Sequence, residues 1–495
     1  MTTTSTDHVR VAIVGTGFAG LGAAIALQEA GVEHVVLERA PDLGGTWRDN
    51  TYPGCRCDVP SHLYSFSFAP NPEWTETYSP QPEILAYLRR TAEERGVLER
   101  TRFGAEVRSA AWDPGTSQWR LDTAAGPLTA DVVVLGNGPL AEPAIPDLPG
   151  LDTFTGTRFH SATWRHDHDL TGERVAVIGT GASAIQFLPE IQPKVGSVTL
   201  FQRTPPWVLP HRNRRITRVE RALYRRVPAA QRLVRGLVYW MRELFVSGLL
   251  KNTKSLEKVE ALAHKHLASQ VPDPELRAKV TPDYRPGCKR LLLSNDYYPA
   301  LQQPNVEVVT EKIVEVTPTG VVTADGVEHQ VDTIIFGTGF HVTDNPVADR
   351  LRGVDGRTLA EHWQETGAQA YLGTTVPSFP NLFLLAGPNT GIGHTSLVVM
   401  IEAQLAYLVD ALRTLDETGA RSVEVHRSVF RAWTSEIQRK ASRTVWNTGG
   451  CASWYLDSEG RNTALWPDHT FRFVRRTRHF DAGSYRLAGV DGRRD

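Results

Sequence analysis

The sequence predicts an α/β protein of two similar parallel-sheet domains with a helical insertion in the second. Three observations predict it: a strand, glycine turn, helix and strand over residues 10–38, the same succession over 174–202, and a charged, mostly helical stretch from His211 to about Arg290. In both repeats the apolar period changes as a βαβ unit requires. With 495 residues the chain exceeds the ~250–300 at which one core stops growing, so several cores are expected. Hydrophobic residues at 41%, charged at 22%, with 41 glycines and 31 prolines, exclude collagen-like, disordered and disulfide-scaffold classes.

The first unit runs from a strand at Val11–Val14 through a helix at Leu21–Ala30 to a strand at His34–Leu37. Between them lies Gly15-x-Gly17-x-x-Gly20, and Glu38 closes the second strand. Gly15 permits the tight turn, Gly17 lets backbone amides approach a pyrophosphate, and Gly20 allows close helix–strand packing. The helix N-terminus adds partial positive charge, and Glu38 can hold a ribose diol. In the second unit a strand at Val175–Ile178 meets Gly179-x-Gly181-x-x-Ala184, then a helix to Glu190 and a strand at Ser197–Phe201. Both read as Rossmann-like dinucleotide-binding folds.

The two differ at one slot. Glu38 lies 23 residues after Gly15, and Arg203 lies 24 after Gly179. A carboxylate there repels a 2′-phosphate, whereas an arginine binds it as a charge-assisted partner. The second site should therefore take NADPH, with Thr204 as an added donor, and the first a nucleotide lacking that phosphate, such as FAD.

The linker Glu142–Asp152 carries three prolines and divides the units, since proline and glycine interrupt regular pairing. Strands at Val306–Val309, within Asp332–Phe340 and within Leu382–Asn389 follow the insertion, so the last third of the chain should return to the first domain. The expected division is an FAD domain at 1–145 and 340–495, an NADPH domain at 150–212 and 292–339, and the insertion at 213–291. Nine arginines face one acid, Glu220, between Arg212 and Arg235. Arg218, Arg221 and Arg225 share one helical face, and the apolar stretch Gly236–Leu250 follows. An amphipathic helix packed beside the substrate entrance accounts for this pattern; peripheral contact with anionic lipid is the alternative.

A formal charge of −1 supplies no global field for nucleic acid or membrane. The start of the chain lacks a signal-peptide pattern, and Arg242 and Glu243 interrupt the longest apolar run, so neither export nor a membrane span is expected. Four cysteines suit a reducing compartment, by default the cytoplasm, better than a disulfide framework. No spacing of His, Cys and acids suggests a metal. Two redox nucleotides in one chain imply electron traffic between them. Cys55-x-Cys57 is too tight for the dithiol of a disulfide reductase, which leaves molecular oxygen as the acceptor.

At this point the residues resemble a family, the type I Baeyer–Villiger monooxygenases among the class B flavoprotein monooxygenases, nearly end to end. Gly44–Asp58 (GGTWRDNTYPGCRCD) fits that family's Gly-Trp, aromatic-Pro-Gly, Asp pattern, and Phe154–Trp164 (FTGTRFHSATW) fits its FxGxxxHxxxW signature. Gly287–Arg290 (GCKR), Gly387–His394 (GPNTGIGH) and Cys451–Tyr455 (CASWY) also match. One position departs: Arg165 follows Trp164 where the family has Pro or Asp, and a basic residue there is more typical of the N- and S-oxygenating flavin monooxygenases. The resemblance implies that Gly45, Thr46, Trp47 and Asp58 belong to the flavin site. It implies that Lys289 joins Arg203 and Thr204 around the 2′-phosphate, that Trp454 closes over the nicotinamide nucleotide, and that Arg290 is the catalytic cation held by Asp58. His160 would belong to a hinge strip between the domains.

The implied reaction uses NADPH, FAD and O2 to convert a ketone to an ester or lactone through a flavin peroxide. A guanidinium suits it, because negative charge migrates from peroxide to alkoxide and Arg stays charged at physiological pH. N- or S-oxygenation is the alternative chemistry, and a flavin-binding redox sensor without turnover the alternative class. Without the motifs, His160, His341 and His394 read as packing or surface groups, Trp164 and Trp454 as core aromatics, and the run Arg472–His479 as a solvated basic face.

Overall fold

The computed structural model describes residues 7–251 and 254–489. Residues 1–6, part of the segment read for a signal peptide, and 490–495, the predicted end of the first domain, lie outside the described residues, as do 252 and 253 of the insertion.

The first sheet is centred on three parallel strands, with Asp7–Val14 between His34–Leu37 and Gly126–Leu135. Val11, Ala12, Ile13, Val133 and Val134 are fully buried, as parallel strands covered on both faces should be. The helix Phe18–Glu29 is apolar nearly all round and buries nine residues. It packs against the long helix Leu397–Thr418. At that crossing a Cβ on Gly22 would lie 2.9 Å from Leu405. Beyond Gly126–Leu135 the sheet turns antiparallel through Gln118–Thr123 and Val107–Asp113. Burial alternates along Gln118–Thr123, the pattern of strands with one covered face. Two later segments join this sheet: Leu382–Leu384 pairs with Gly126–Leu135, and Leu351–Arg352 with Val107–Asp113.

The second sheet is parallel throughout, in the order Val306–Val309, Ser197–Phe201, Arg174–Ile178, Thr333–Phe336, Thr157–His160. The chain crosses between the sheets near Glu142 and again near Phe340, and the two crossings pair. Ala144 donates to the Gly339 carbonyl (2.9 Å) and His341 to that of Glu142 (2.9 Å). The ring of His160 rests against Phe340 at 5.6 Å, beside this two-stranded junction.

The insertion forms helices at Arg218–Arg226, Pro228–Lys251, Lys254–Gln270 and Pro274–Lys279. Thr217 and Glu220 close a capping box on the first of these. The long second helix docks through polar side chains. Gln231 donates to the Asn71 carbonyl (2.6 Å), Arg235 to those of His62 and Ser65 (2.9 Å each), and Arg242 to the Tyr78 hydroxyl (2.9 Å). Its other face exposes Leu233, Leu237, Trp240, Met241 and Leu244. Among the described residues no helix is long and apolar enough to cross a membrane.

The expectation of four cysteines without a disulfide is corrected. Cys288 and Cys451, 163 residues apart, are bonded, while Cys55 and Cys57 are buried free thiols. Chain folding brings together two sulfurs that sequence spacing does not relate.

Candidate active site

Each motif glycine has its own geometry. Gly15 (φ +100°) and Gly179 (φ +106°) occupy backbone that favours glycine. A Cβ on Gly20 would lie 1.8 Å from the Gly15 carbonyl oxygen, so this glycine permits helix–strand contact. Gly17 is different: a Cβ there meets only Gly45 Cα, at 3.9 Å. Gly181 likewise meets only the Gly337 carbonyl oxygen, at 3.7 Å. These two positions line open cradles, each at the start of a helix with no side-chain cap. In the second, Ala184 is fully buried, and a Cβ on Gly337 would lie 3.2 Å from its methyl. Opposite Gly17, Gly45 leads into the short helix Thr46–Asp49. The Thr46 carbonyl accepts from the Asn50 amide and side chain, and Trp47 donates its indole N–H to Tyr64 (3.0 Å).

The two strand ends carry the charges the sequence places there. Glu38 is buried, and its carboxylate accepts from the Thr16 amide (3.0 Å), the Thr16 hydroxyl (2.6 Å), the Ala40 amide (2.9 Å) and Arg48 (3.0 Å). Arg203 is exposed. Lys289 is near enough that, after burial, the Arg203 charge is the next cause holding its amine below the ordinary value. Its ammonium also lies 5.3 Å from the Tyr284 ring centre. Thr204 is held through its carbonyl, which accepts from Thr180 (3.0 Å).

Asp58 and Arg290 meet across 232 residues in a bidentate pair: Nη2 donates to Oδ1 at 2.6 Å, and Nε donates to Oδ2. The loop bearing Asp58 is anchored on the second domain. Tyr52 donates to the Gln186 side-chain oxygen (3.0 Å), as does the Arg56 amide (3.2 Å), and Gln186 donates back to the Arg56 carbonyl (3.2 Å). A Cβ on Gly54 would lie 2.7 Å from the Gln186 carbonyl oxygen, so this contact is close. Arg290 follows a turn at Arg285–Cys288 and precedes Leu292–Leu293, which pairs with Val208–Leu209.

Burial works to raise the Asp58 carboxyl, but the charge and hydrogen bonds of Arg290, helped by Arg242, outweigh it and leave the group below its ordinary value. The Asp58 charge in turn holds the guanidinium above its own. Both groups are ionised at neutral pH. The Arg290 and Asp58 side chains keep 35% and 25% of their surface accessible, so the pair is partly open to solvent. Sequence reasoning missed two neighbours. Arg242, from the insertion, projects its charge onto Asp58. Tyr455 is buried close enough to feel the charges of both members; burial pushes its hydroxyl up to about 12, opposed by Arg290. Tyr455 lies in the CASWY match and could have been singled out; no spacing rule points to Arg242. Trp454, next to Tyr455 and 4.5 Å from it ring to ring, is 49% exposed. An open depression edged by Asp273, Lys279, Gln303 and Glu307 shares no residue with this site. Among the described residues no group of three His, Cys, Asp or Glu could hold a metal.

The residues fit two dinucleotides. Gly17 and Gly181 leave the space a side chain would fill, and Arg203 and Lys289 bring together two positive charges that an anion would reconcile. Fold and site together define a class, proteins with two dinucleotide cradles and a partly buried carboxylate–guanidinium pair. The flavin-binding monooxygenase-like family matches over residues 8–352, and the chain belongs to it. A Baeyer–Villiger monooxygenase of Streptomyces coelicolor is 55% identical over 97% of this chain and 93% of its own. One of Pseudomonas aeruginosa is 51% identical over 97% and 92%. Among solved structures, a closed cyclohexanone monooxygenase superposes with TM-score 0.88 at 29% identity over 98% of this chain and all of its own. OTEMO in complex with FAD and NADP does so with TM-score 0.88 at 27% identity over the same shares.

Proposed function

We propose that this chain is an NADPH- and O2-dependent flavin monooxygenase that converts ketones to esters or lactones by Baeyer–Villiger oxidation. FAD belongs with residues 1–145 and 340–495, NADPH with 150–212 and 292–339, and the insertion at 213–291 walls the cleft. The observation that supports the reading is the Asp58–Arg290 pair, bidentate and partly accessible to solvent. Bound together, NADPH and FAD supply the hydride and the activation of oxygen.

The chain's own residues do the rest. Asp58 fixes the guanidinium plane by two hydrogen bonds and leaves part of its surface toward the cleft. Arg290 then presents a positive charge, fixed before reaction, where negative charge builds on substrate oxygen; one such donor is worth ~3–4 kcal/mol of transition-state stabilisation. Arg203 and Lys289 hold the 2′-phosphate, with Thr204 beside them. Gly17, Gly45, Thr46 and Trp47 line the flavin side, and Trp454 at the rim covers the nicotinamide nucleotide and excludes water. Glu38 holds the ribose diol. Its four acceptor positions are taken by partners of this chain, so the diol displaces the Thr16 hydroxyl or Arg48. Arg165, where the sequence departs toward N- and S-oxygenating relatives, is exposed and engaged with Asp167 by two hydrogen bonds (2.8 and 2.7 Å).

The test is product analysis by mass spectrometry after incubation with cyclic, linear and aryl ketones and sulfides under NADPH and 18O-labelled oxygen. The expected product is an ester or lactone carrying one 18O atom; sulfoxide with no ester from any ketone would overturn the reading.

A further inference from the structure

The Cys288–Cys451 bond joins two segments that the proposed reaction needs in register. Cys288 is fully buried among Trp207, Ala263 and Tyr284 and directly precedes Lys289 and Arg290. Cys451 is half-buried and lies three residues before Trp454 and four before Tyr455, which feels the Arg290 charge. The segments are already close: the Arg285 amide donates to the Gly449 carbonyl (2.9 Å), and a Cβ on Gly449 would lie 2.6 Å from that of Cys288.

We propose that this disulfide is a positioning clamp, tying the rim segment that carries Trp454 and Tyr455 to the turn that carries Lys289 and Arg290. The inference rests on the monooxygenase reading for its consequence in turnover. With the bond intact, the rim covers the nucleotide held by Arg203 and Lys289 while Arg290 keeps its place on Asp58. Reduction by a dithiol transfers two electrons and two protons to the bond, leaving two cysteine thiols and the reagent's own disulfide. Rim and turn can then separate, water enters, and oxygen is released as hydrogen peroxide in place of ester. Cys55 and Cys57 take no part: both thiols are buried, and burial pushes that of Cys55 up to about 12.

The experiment compares the FAD-loaded wild type before and after dithiothreitol with the Cys288→Ser/Cys451→Ser double variant. Alkylation of denatured, unreduced wild type should label two cysteines, and four after reduction; four before reduction would refute the bond. With NADP+ bound, proteolytic cutting between residues 449 and 456 should quicken on reduction and be dithiothreitol-insensitive in the variant. This readout needs no ketone, so it stands or falls apart from the proposed activity. In turnover, peroxide per NADPH and the KM for NADPH should each rise about tenfold, given that a 1 Å misplacement costs up to ~10²-fold, while kcat for flavin reduction and the melting temperature move little. Equal cutting rates and equal peroxide yield in both redox states would overturn the clamp.

Discussion

The two nucleotide cradles share a backbone and differ in what stands at the end of the second strand. In the first, Glu38 is buried and all four of its acceptor positions are used within the chain. In the second, Arg203 is exposed and its charge bears on Lys289. One strand end is finished internally and the other presents cations outward. The difference teaches that one glycine turn can make both cradles, while the proposed nucleotide choice rests on one side chain and its surroundings.

The largest effect separates glycines within one cradle. Gly20→Ala drives a methyl to 1.8 Å from the Gly15 carbonyl oxygen and should cost more than ~4 kcal/mol, the range of severe steric substitutions. Gly17→Ala meets nothing nearer than 3.9 Å and should leave the melting temperature of the apoprotein within a few degrees while weakening FAD retention. Calorimetry and flavin content after gel filtration check both; equal destabilisation would erase the distinction.

Exchanging the second strand-end charge comes next. Arg203→Glu should lower kcat/KM for NADPH by ~10–100-fold, the worth of a charged hydrogen bond of ~1.5–3 kcal/mol, and narrow the preference over NADH. Stopped-flow flavin reduction with each nucleotide measures it, and an unchanged NADPH preference would place the discrimination elsewhere.

Acid sharpens the contrast between buried and presented groups more gently. Burial pushes His62 and His160 down to about 4 and His394 to about 3, from 6.5. The unfolded chain therefore binds more protons between pH 6.5 and 4, and stability falls as pH drops through that window. Asp58 has a lowered pKa, so its contribution is present above the ordinary carboxylate range and is lost only below it. Melting temperatures from pH 8 to 4 should decline below about 6.5, and His160→Gln should flatten the slope; a flat wild-type profile would contradict the assignment.

Much of this was legible in the sequence because the cradles are local. Strand, turn and helix lie within about thirty residues, and Glu38 and Arg203 can be compared by counting. The site is not local. Asp58 and Arg290 are 232 residues apart, and only their motifs, not their spacing, suggested a pair. Arg242 reaches Asp58 from a helix whose other face exposes Leu237, Trp240 and Leu244, an arrangement periodicity cannot orient. The disulfide was hidden for the same reason: Cys288 and Cys451 stand in separate motifs, and nothing short of the fold brings them together.

The most direct test of the central claim is the fate of NADPH-derived electrons in Arg290→Ala. The variant should reduce its flavin with NADPH at nearly the wild-type rate, since Arg203 and Lys289 are intact. It should yield hydrogen peroxide, with ester formation from a ketone lowered ~10²–10³-fold. Ester formation at the wild-type rate in this variant would contradict the account.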